Sequence, residues 1–146
     1  MATGELVNLQ SVLLGPLDVR ADTLITFAAG LPGFAHLREF VLVETQRNEL
    51  VWLQSVDALE LTFLLADPFA LVPGFAIDIP ASDLAAMGGG DQQDALLVLA
   101  VVQLEGGEPT AANLQSPIVI DRIRRLGRQV VLPDSRYGMQ HPITIA

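Results

Sequence analysis

Three residues near the end of the chain have the side-chain types needed for nucleophilic catalysis. Ser135, His141 and Asp134 supply a hydroxyl, an imidazole and a carboxylate, the groups of a serine hydrolase triad. No Gly-x-Ser-x-Gly elbow surrounds Ser135, and no oxyanion-loop signature accompanies it. A small hydrolase using Ser135 and His141 therefore stays an alternative, and we expect a protein that is not an enzyme.

Metal binding is the second chemistry to consider, and the sequence gives it little support. The chain contains no cysteine, which removes disulfides, thiolate zinc sites and cysteine nucleophiles. His36 and His141 are the only histidines, and no carboxylate spacing beside either suggests a metal site. We expect neither a metal nor a cofactor.

A basic cluster between residues 122 and 128 has the charge needed to contact a phosphate backbone. Its members are Arg122, Arg124, Arg125 and Arg128. The whole chain, however, has 17 acidic and 8 basic residues, and its formal charge of -9 repels nucleic acid. Aromatic residues for base stacking are missing beside the cluster. An OB-like nucleic-acid binder using Arg122 to Arg128 is the second alternative, but a solvated turn or a clamp on an acidic neighbour is favoured.

An apolar segment between Asp67 and Phe75 is the best candidate for binding a protein partner. Pro68 and Pro73 exclude this segment from regular strand pairing, so its side chains can line a groove for an amphipathic helix. The competing interpretation is a packed loop. The predicted apolar contacts are Phe69, Leu71, Val72 and Phe75, and the predicted polar contacts are Asp67, Asp91 and Asp94.

Short strands separated by turn residues must position these groups. The strongest strand signals are Phe40 to Glu44, Leu50 to Ser55, Leu61 to Ala66, Leu96 to Leu104, Pro117 to Ile120 and Arg128 to Leu132. Residues 82–87 are predicted to form a helix that Ser82 caps. This pattern is typical of a sandwich or barrel. We predict one all-β, mainly antiparallel, β-barrel-like domain over residues 1–146, with one or two short helices.

The apolar content indicates a packed core and no membrane segment. Hydrophobic residues make up 51% of the chain, which is enough for a core. The longest apolar run, Ala95 to Val102, is far shorter than the roughly 20 residues that span a bilayer. Met1 to Asn8 lacks the basic start of a signal peptide. We expect a soluble, cytoplasmic monomer with no contact to a membrane.

Several sequence blocks, in series over residues 7 to 142, together resemble one protein family. They are Ile25 to Phe27 with Gly30 to Phe34, Trp52 to Ser55 with Asp67 to Phe69, Asn113 to Ile120, and Gly127 to Leu132 with Tyr137 and His141-Pro142. The family they resemble is FliW, the flagellar assembly factors. Two departures stand out: Gly74-Phe75 replaces the usual Asp-Tyr pair, and Asp121 replaces the usual Asn.

The resemblance implies regulation through protein binding. FliW-like proteins bind flagellin, at its C-terminal helical region, and also bind the RNA-binding translational repressor CsrA. Protein that is freed when flagellin is exported binds CsrA away from its RNA site and lifts repression of flagellin translation. We therefore expect flagellin and CsrA as partners. A charge of -9 suits the basic surface that such a repressor presents to RNA.

Overall fold

The computed structural model describes residues 5–88, 95–132 and 136–145. Strands dominate these ranges, with two short helices between the sixth and seventh strands. The strands are β1 (Leu6–Ser11), β2 (Gly15–Arg20), β3 (Ile25–Thr26), β4 (Glu39–Glu44), β5 (Leu50–Ser55), β6 (Thr62–Ala66), β7 (Leu96–Glu105), β8 (Glu108–Ala112), β9 (Ile118–Asp121), β10 (Leu126–Gln129) and β11 (His141–Pro142). The helices are α1 (Pro68–Leu71) and α2 (Ala81–Ala86).

Seven of these strands form a ring, in the order β3-β4-β5-β6-β7-β9-β10. Their pairings are antiparallel except between β10 and β3, where a single parallel pair, Leu126 with Thr26, closes the ring. Closure leaves few exposed strand edges in the barrel. The mainly antiparallel, barrel-like fold with short helices that the sequence predicts is confirmed.

Strand β7 is long enough to serve both the barrel and an extension beyond it. Its residues Leu96–Leu99 pair with β9, and Val102–Glu105 pair with β8, on which β11 forms a further pair. A register shift between Gln103 and Leu104 marks the extended part. The end of β7 therefore extends past one open end of the barrel, which we call the barrel mouth, and forms one wall there.

Apolar side chains from the ring fill its interior. Phe27 and Phe40 are completely buried there and meet edge to face, with 5.1 Å between ring centroids. The other buried members of this cluster are Ile25, Leu31, Leu37, Leu53, Leu65, Leu99, Ile118 and Ile120. Burying such a side chain contributes about 1.5–3 kcal/mol. A second cluster on the outside of the barrel contains Val72, Phe75, Ala100, Ala112 and Leu114.

The β1–β2 hairpin is joined to the barrel by a buried polar network around Gln54. The Gln54 side chain is completely buried, and its Oε1 accepts hydrogen bonds from Ser11 Oγ and Thr62 Oγ1, each at 2.6 Å. Its Nε2 donates to backbone carbonyls, with distances of 3.0 to 3.3 Å. Because both polar atoms of the amide have partners, its burial avoids the penalty of an unsatisfied group.

A proline lies at the start of each helix, as the first residue of α1 and as the N-cap of α2, and the latter corrects the predicted cap. Helix α2 spans Ala81–Ala86, with Pro80 at the N-cap and without a side-chain cap bond, so Ser82 is not its cap. Helix α1 was not anticipated. Asp67 is its N-cap and accepts a 3.0 Å hydrogen bond from the Phe69 backbone, and Pro68 occupies its first turn. None of the helices in the described part of the chain has the length and apolar character needed to cross a bilayer.

Candidate protein-binding surfaces

Helix α1 fixes the predicted apolar segment against the outside of the barrel. Val72 and Phe75 are each only 7% exposed, because they pack in the outer cluster with Ala100, Ala112 and Leu114. Leu71 is half-buried, whereas Phe69 is 52% exposed. Of the four predicted apolar contacts, the structure therefore leaves Phe69, and part of Leu71, available to a partner. We call this surface the α1 face.

A series of aromatic rings backs the α1 face. Phe75 meets Phe69 edge to face, with 5.0 Å between centroids, and meets Tyr137 at 5.2 Å. Tyr137 in turn meets the His141 ring at 5.6 Å. Such contacts contribute about 0.5–1.5 kcal/mol each beyond simple burial. The series links α1 to the segment that leads into β11, so Phe69 projects from a rigid support.

Of the three predicted polar contacts, the described geometry brings Asp67 alone to the α1 face. The carboxylate of Asp67 caps α1, as described above, and is half-buried. Asp91 and Asp94 lie outside the described residues. So do Ser135 and Asp134, the partners proposed for His141 in the hydrolase alternative. Of the three residues of that alternative triad, only His141 therefore lies within the described residues, and its ring contacts Tyr137 in the aromatic series.

The side chains of the arginine cluster form ion pairs and hydrogen bonds within the protein itself. Arg124 pairs with Asp121 at 3.0 Å, and Arg128 pairs with Asp83 of α2 at 2.6 Å. The Nε groups of Arg122 and Arg125 donate to the backbone carbonyls of Ala95 and Arg122, at 3.3 and 3.1 Å. These contacts tie the β9–β10 turn to α2 and to the start of β7, which agrees with the clamp interpretation.

Asp121 organises the turn that carries these arginines. Its Oδ1 accepts hydrogen bonds from the backbone N–H groups of Ile123 and Arg124, each at 2.9 Å. Burial opposes ionisation of this carboxyl, but the hydrogen bonds from Arg124 and Ile123 and the Arg124 charge outweigh burial and lower the pKa of Asp121. The next residues, up to Arg125 at φ 58°, are thereby held in a tight turn.

A second candidate surface, which sequence reasoning missed, opens at the barrel mouth beside the end of β7. Two adjoining cavities of about 320 and 610 Å³ share Val101, Asn113 and Met139. Val131 and Met139, on the rim, are 60% and 63% exposed. We call this surface the barrel-mouth groove, and its apolar lining includes Leu31, Phe34, Phe63, Val101, Val131 and Met139. No local motif could have revealed it, because these residues come from distant parts of the chain.

Comparisons with known proteins agree with this architecture. The family model described as FliW protein matches residues 8–143. The flagellar assembly factor FliW of Moorella thermoacetica is 38% identical over 132 residues, covering 88% of this chain and 83% of that protein. The Bacillus subtilis FliW is 31% identical over 130 residues, covering 88% and 91%.

A solved structure gives the same result in three dimensions. The crystal structure of a flagellar assembly factor FliW superimposes with a TM-score of 0.84 at 30% sequence identity. The match covers 93% of this chain and 96% of the solved one. By sequence and by fold, this chain belongs to the FliW family of flagellar assembly factors.

Proposed function

We propose that this protein is a cytoplasmic regulator that binds flagellin and the translational repressor CsrA in turn, and so couples the flagellin level to flagellin translation. The observation that carries the proposal is the family match, which runs over residues 8–143 and therefore includes every strand of the ring. A flagellar assembly factor acts on protein partners, so the role rests on binding surfaces and not on catalysis.

For flagellin, the α1 face offers an apolar anchor of the kind that an amphipathic helix recognises. Phe69 is 52% exposed and is supported from behind by Phe75. Aromatic residues, phenylalanine among them, are enriched in protein interfaces relative to the rest of the surface. The C-terminal helical region of flagellin has an apolar face that can pack on Phe69 and the exposed part of Leu71.

For CsrA, the charge of the protein supplies long-range attraction. Seventeen acidic residues against eight basic ones give a formal charge of -9. A repressor that binds RNA must present basic surface, and opposite charges speed encounter and fix orientation. Asp67, Asp91 and Asp94 remain our proposed polar contacts. Binding to CsrA should therefore weaken as salt is raised.

The nucleic-acid alternative is not favoured by the geometry of the arginines. Arg124 and Arg128 are committed to Asp121 and Asp83, and the Nε groups of Arg122 and Arg125 donate to backbone carbonyls. Moving these groups onto a phosphate backbone would break the contacts that hold the turn. We therefore retain protein binding as the function.

Calorimetric titrations test the proposal directly. Monomeric flagellin and CsrA, both from the same source as this protein, are titrated separately at moderate salt. We expect dissociation constants of about a micromolar or tighter, equivalent to about -8 kcal/mol. Absence of heat with both partners, at concentrations well above micromolar, would contradict the proposal.

A further inference from the structure

We propose that the barrel-mouth groove is a second docking site, which takes an extended, apolar and uncharged segment of the partner protein. The inference rests on the proposed function in one respect, the choice of flagellin as the protein that supplies this segment. The groove is separate from the α1 face, and nothing in the FliW resemblance assigns it a role.

The floor and rim of the groove are suited to apolar side chains. Phe34 and Phe63 meet edge to face on its floor, with 5.8 Å between ring centroids. Val131 and Met139 leave 60% and 63% of their surface in water on its rim. Exposed apolar side chains that converge on one concave site are the usual mark of a binding surface. Covering them removes apolar surface from water, which stabilises a complex by about 25 cal/mol for each Å².

The described lining of the groove carries no charge, on a strongly acidic protein. Among the residues that the structure describes, none that lines the two cavities is charged, although the chain has a formal charge of -9. Burying a charged side chain in such a lining would leave the charge without a partner and cost several kcal/mol. The surrounding acidic field disfavours acidic flanks as well. The occupant must therefore be uncharged at its centre.

Carboxamide side chains around the groove indicate that the occupant is extended rather than helical. Asn113 and Gln129 are used internally, since each bonds the Ser116 backbone, at 3.1 and 3.0 Å. Gln103, Gln115 and Gln140 form no side-chain hydrogen bond with any other residue that the structure describes. A carboxamide donates and accepts like a peptide group. A helix satisfies its own peptide groups internally, whereas an extended segment presents them to neighbours.

The groove adjoins the α1 face across one short segment of chain. Tyr137 contacts Phe75 behind the α1 face, and Met139, two residues later, lines the groove. One partner can therefore place a helix on Phe69 and continue as an extended strand into the groove. Two linked contacts raise affinity through effective concentration, without requiring either to be strong alone.

Charge substitution on the rim tests the groove. Met139→Glu and Val131→Glu each place a carboxylate where the proposed segment must bury apolar groups. Ile123→Glu is the matched control, because Ile123 is also 63% exposed but does not line the groove. Calorimetric titration with full-length monomeric flagellin should show at least a tenfold loss of affinity for both rim variants and less than a twofold change for the control. Circular dichroism verifies that all three variants are folded.

The outcomes separate this inference from the proposed function. If the unaltered protein does not bind flagellin, the proposed function fails and the flagellin occupant fails with it. If it binds and the rim variants bind equally well, the groove inference alone is overturned. A dimer that light scattering detects and Met139→Glu dissolves would assign the groove to a second copy of this chain and overturn the inference.

The carboxamides supply a separate test of the extended conformation. Gln115→Leu and Gln140→Leu remove donors and acceptors but keep the groove uncharged. We expect each to weaken flagellin binding several-fold, because peptide groups of the bound segment lose partners. Full affinity in both variants, combined with loss in Met139→Glu, would show that the occupant does not use its backbone and is not extended.

Discussion

The ring of Phe69 meets the ring of Phe75 edge to face, with 5.0 Å between their centroids. Phe75 is 7% exposed and Phe69 is 52% exposed, so a fixed ring supports a ring that faces water. A side chain held in place before binding loses less conformational freedom when a partner arrives. This relationship makes Phe69 the residue of the α1 face on which we expect partner binding to depend most.

Replacing Phe69 with alanine should separate binding from stability. The change removes the exposed ring and its contact with Phe75, so the free energy of unfolding should fall by about 1 kcal/mol. Loss of a binding anchor typically costs at least about 2 kcal/mol, or about thirtyfold in affinity. Calorimetry with flagellin and urea unfolding measure the two effects. Ile123→Ala, a control at an apolar residue that is 63% exposed, should leave flagellin affinity unchanged. Unchanged affinity in Phe69→Ala would remove the α1 face from the interface.

Replacing Gln54 with leucine should destabilise the fold. The hydroxyls of Ser11 and Thr62 lose their shared acceptor, and the backbone carbonyls at Ser55, Leu59 and Leu61 lose a donor. Buried polar groups left without partners cost about 1–3 kcal/mol each, and partial rearrangement should limit the total to about 3 kcal/mol. Urea unfolding measures the loss. The control is Gln46→Leu, at an exposed turn, which should change stability by less than about 0.5 kcal/mol. Equal stability of the two variants would show that the Gln54 network does not stabilise the fold.

Replacing Gly127 with alanine should lower the stability of the fold, because the added methyl group would meet the ring of Phe27. A Cβ at this position would overlap the ring of Phe27, which is completely buried and packed against Phe40. Overpacking of this kind typically costs about 1–3 kcal/mol. Gly138→Ala is the matched control, since its Cβ would approach nothing nearer than Gln140 N at 3.9 Å. Thermal unfolding should show a lower Tm for Gly127→Ala alone, and an unshifted Tm would mean that Phe27 has room to move.

The acid sensitivity of the fold should depend on Asp121. Its pKa in the folded protein lies below the value of about 3.9 expected when unfolded. Its ionised form therefore stabilises the protein fully above the unfolded pKa, and this contribution disappears as pH falls through the folded pKa. Asp121→Asn keeps an acceptor for the Ile123 and Arg124 N–H groups but removes the charge beside the Arg124 guanidinium.

Urea unfolding at pH 7 and pH 3 compares the two proteins. The unaltered protein should be the more stable at pH 7, and its advantage over Asp121→Asn should shrink at pH 3. Asp22, whose pKa is also lowered by Arg20, is present in both proteins and cancels in the comparison. An identical pH dependence for the two would show that Asp121 does not contribute to acid sensitivity.

Strand positions could be predicted from the sequence because their signals are local. The hairpin of β4 and β5, the apolar strand β7 and strand β9 lie where alternation and turn residues predict them. The last predicted strand, Arg128 to Leu132, is wrong in its bounds, because β10 spans Leu126–Gln129 and residues 130–132 form no strand. Helix α1 was missed because Asp67-Pro68 marks the end of a strand and also begins a helix. Ile77 and Ile79 alternate with Asp78 and Pro80, a pattern that predicts a short edge strand. Residues 75–80 instead form coil, in which Ile77 packs on the outer cluster of Val72 and Phe75.

The candidate sites could be predicted from the sequence less well than the fold, for a physical reason. The apolar pattern of Phe69 to Phe75 indicated a surface, but composition alone could not show that Val72 and Phe75 face the barrel. The barrel-mouth groove is formed by residues between Leu31 and Gln140 that only the closed ring brings together. Contacts of such long sequence separation leave no periodic signal.

Displacement of CsrA by flagellin tests the proposed partner switch most directly. Fluorescently labelled CsrA is first saturated with this protein, and monomeric flagellin is then added while the anisotropy of the label is followed. The proposal predicts that the anisotropy falls to the value of free CsrA as flagellin reaches a one-to-one ratio with this protein. A CsrA complex that persists in excess flagellin, or one that never forms, would contradict it.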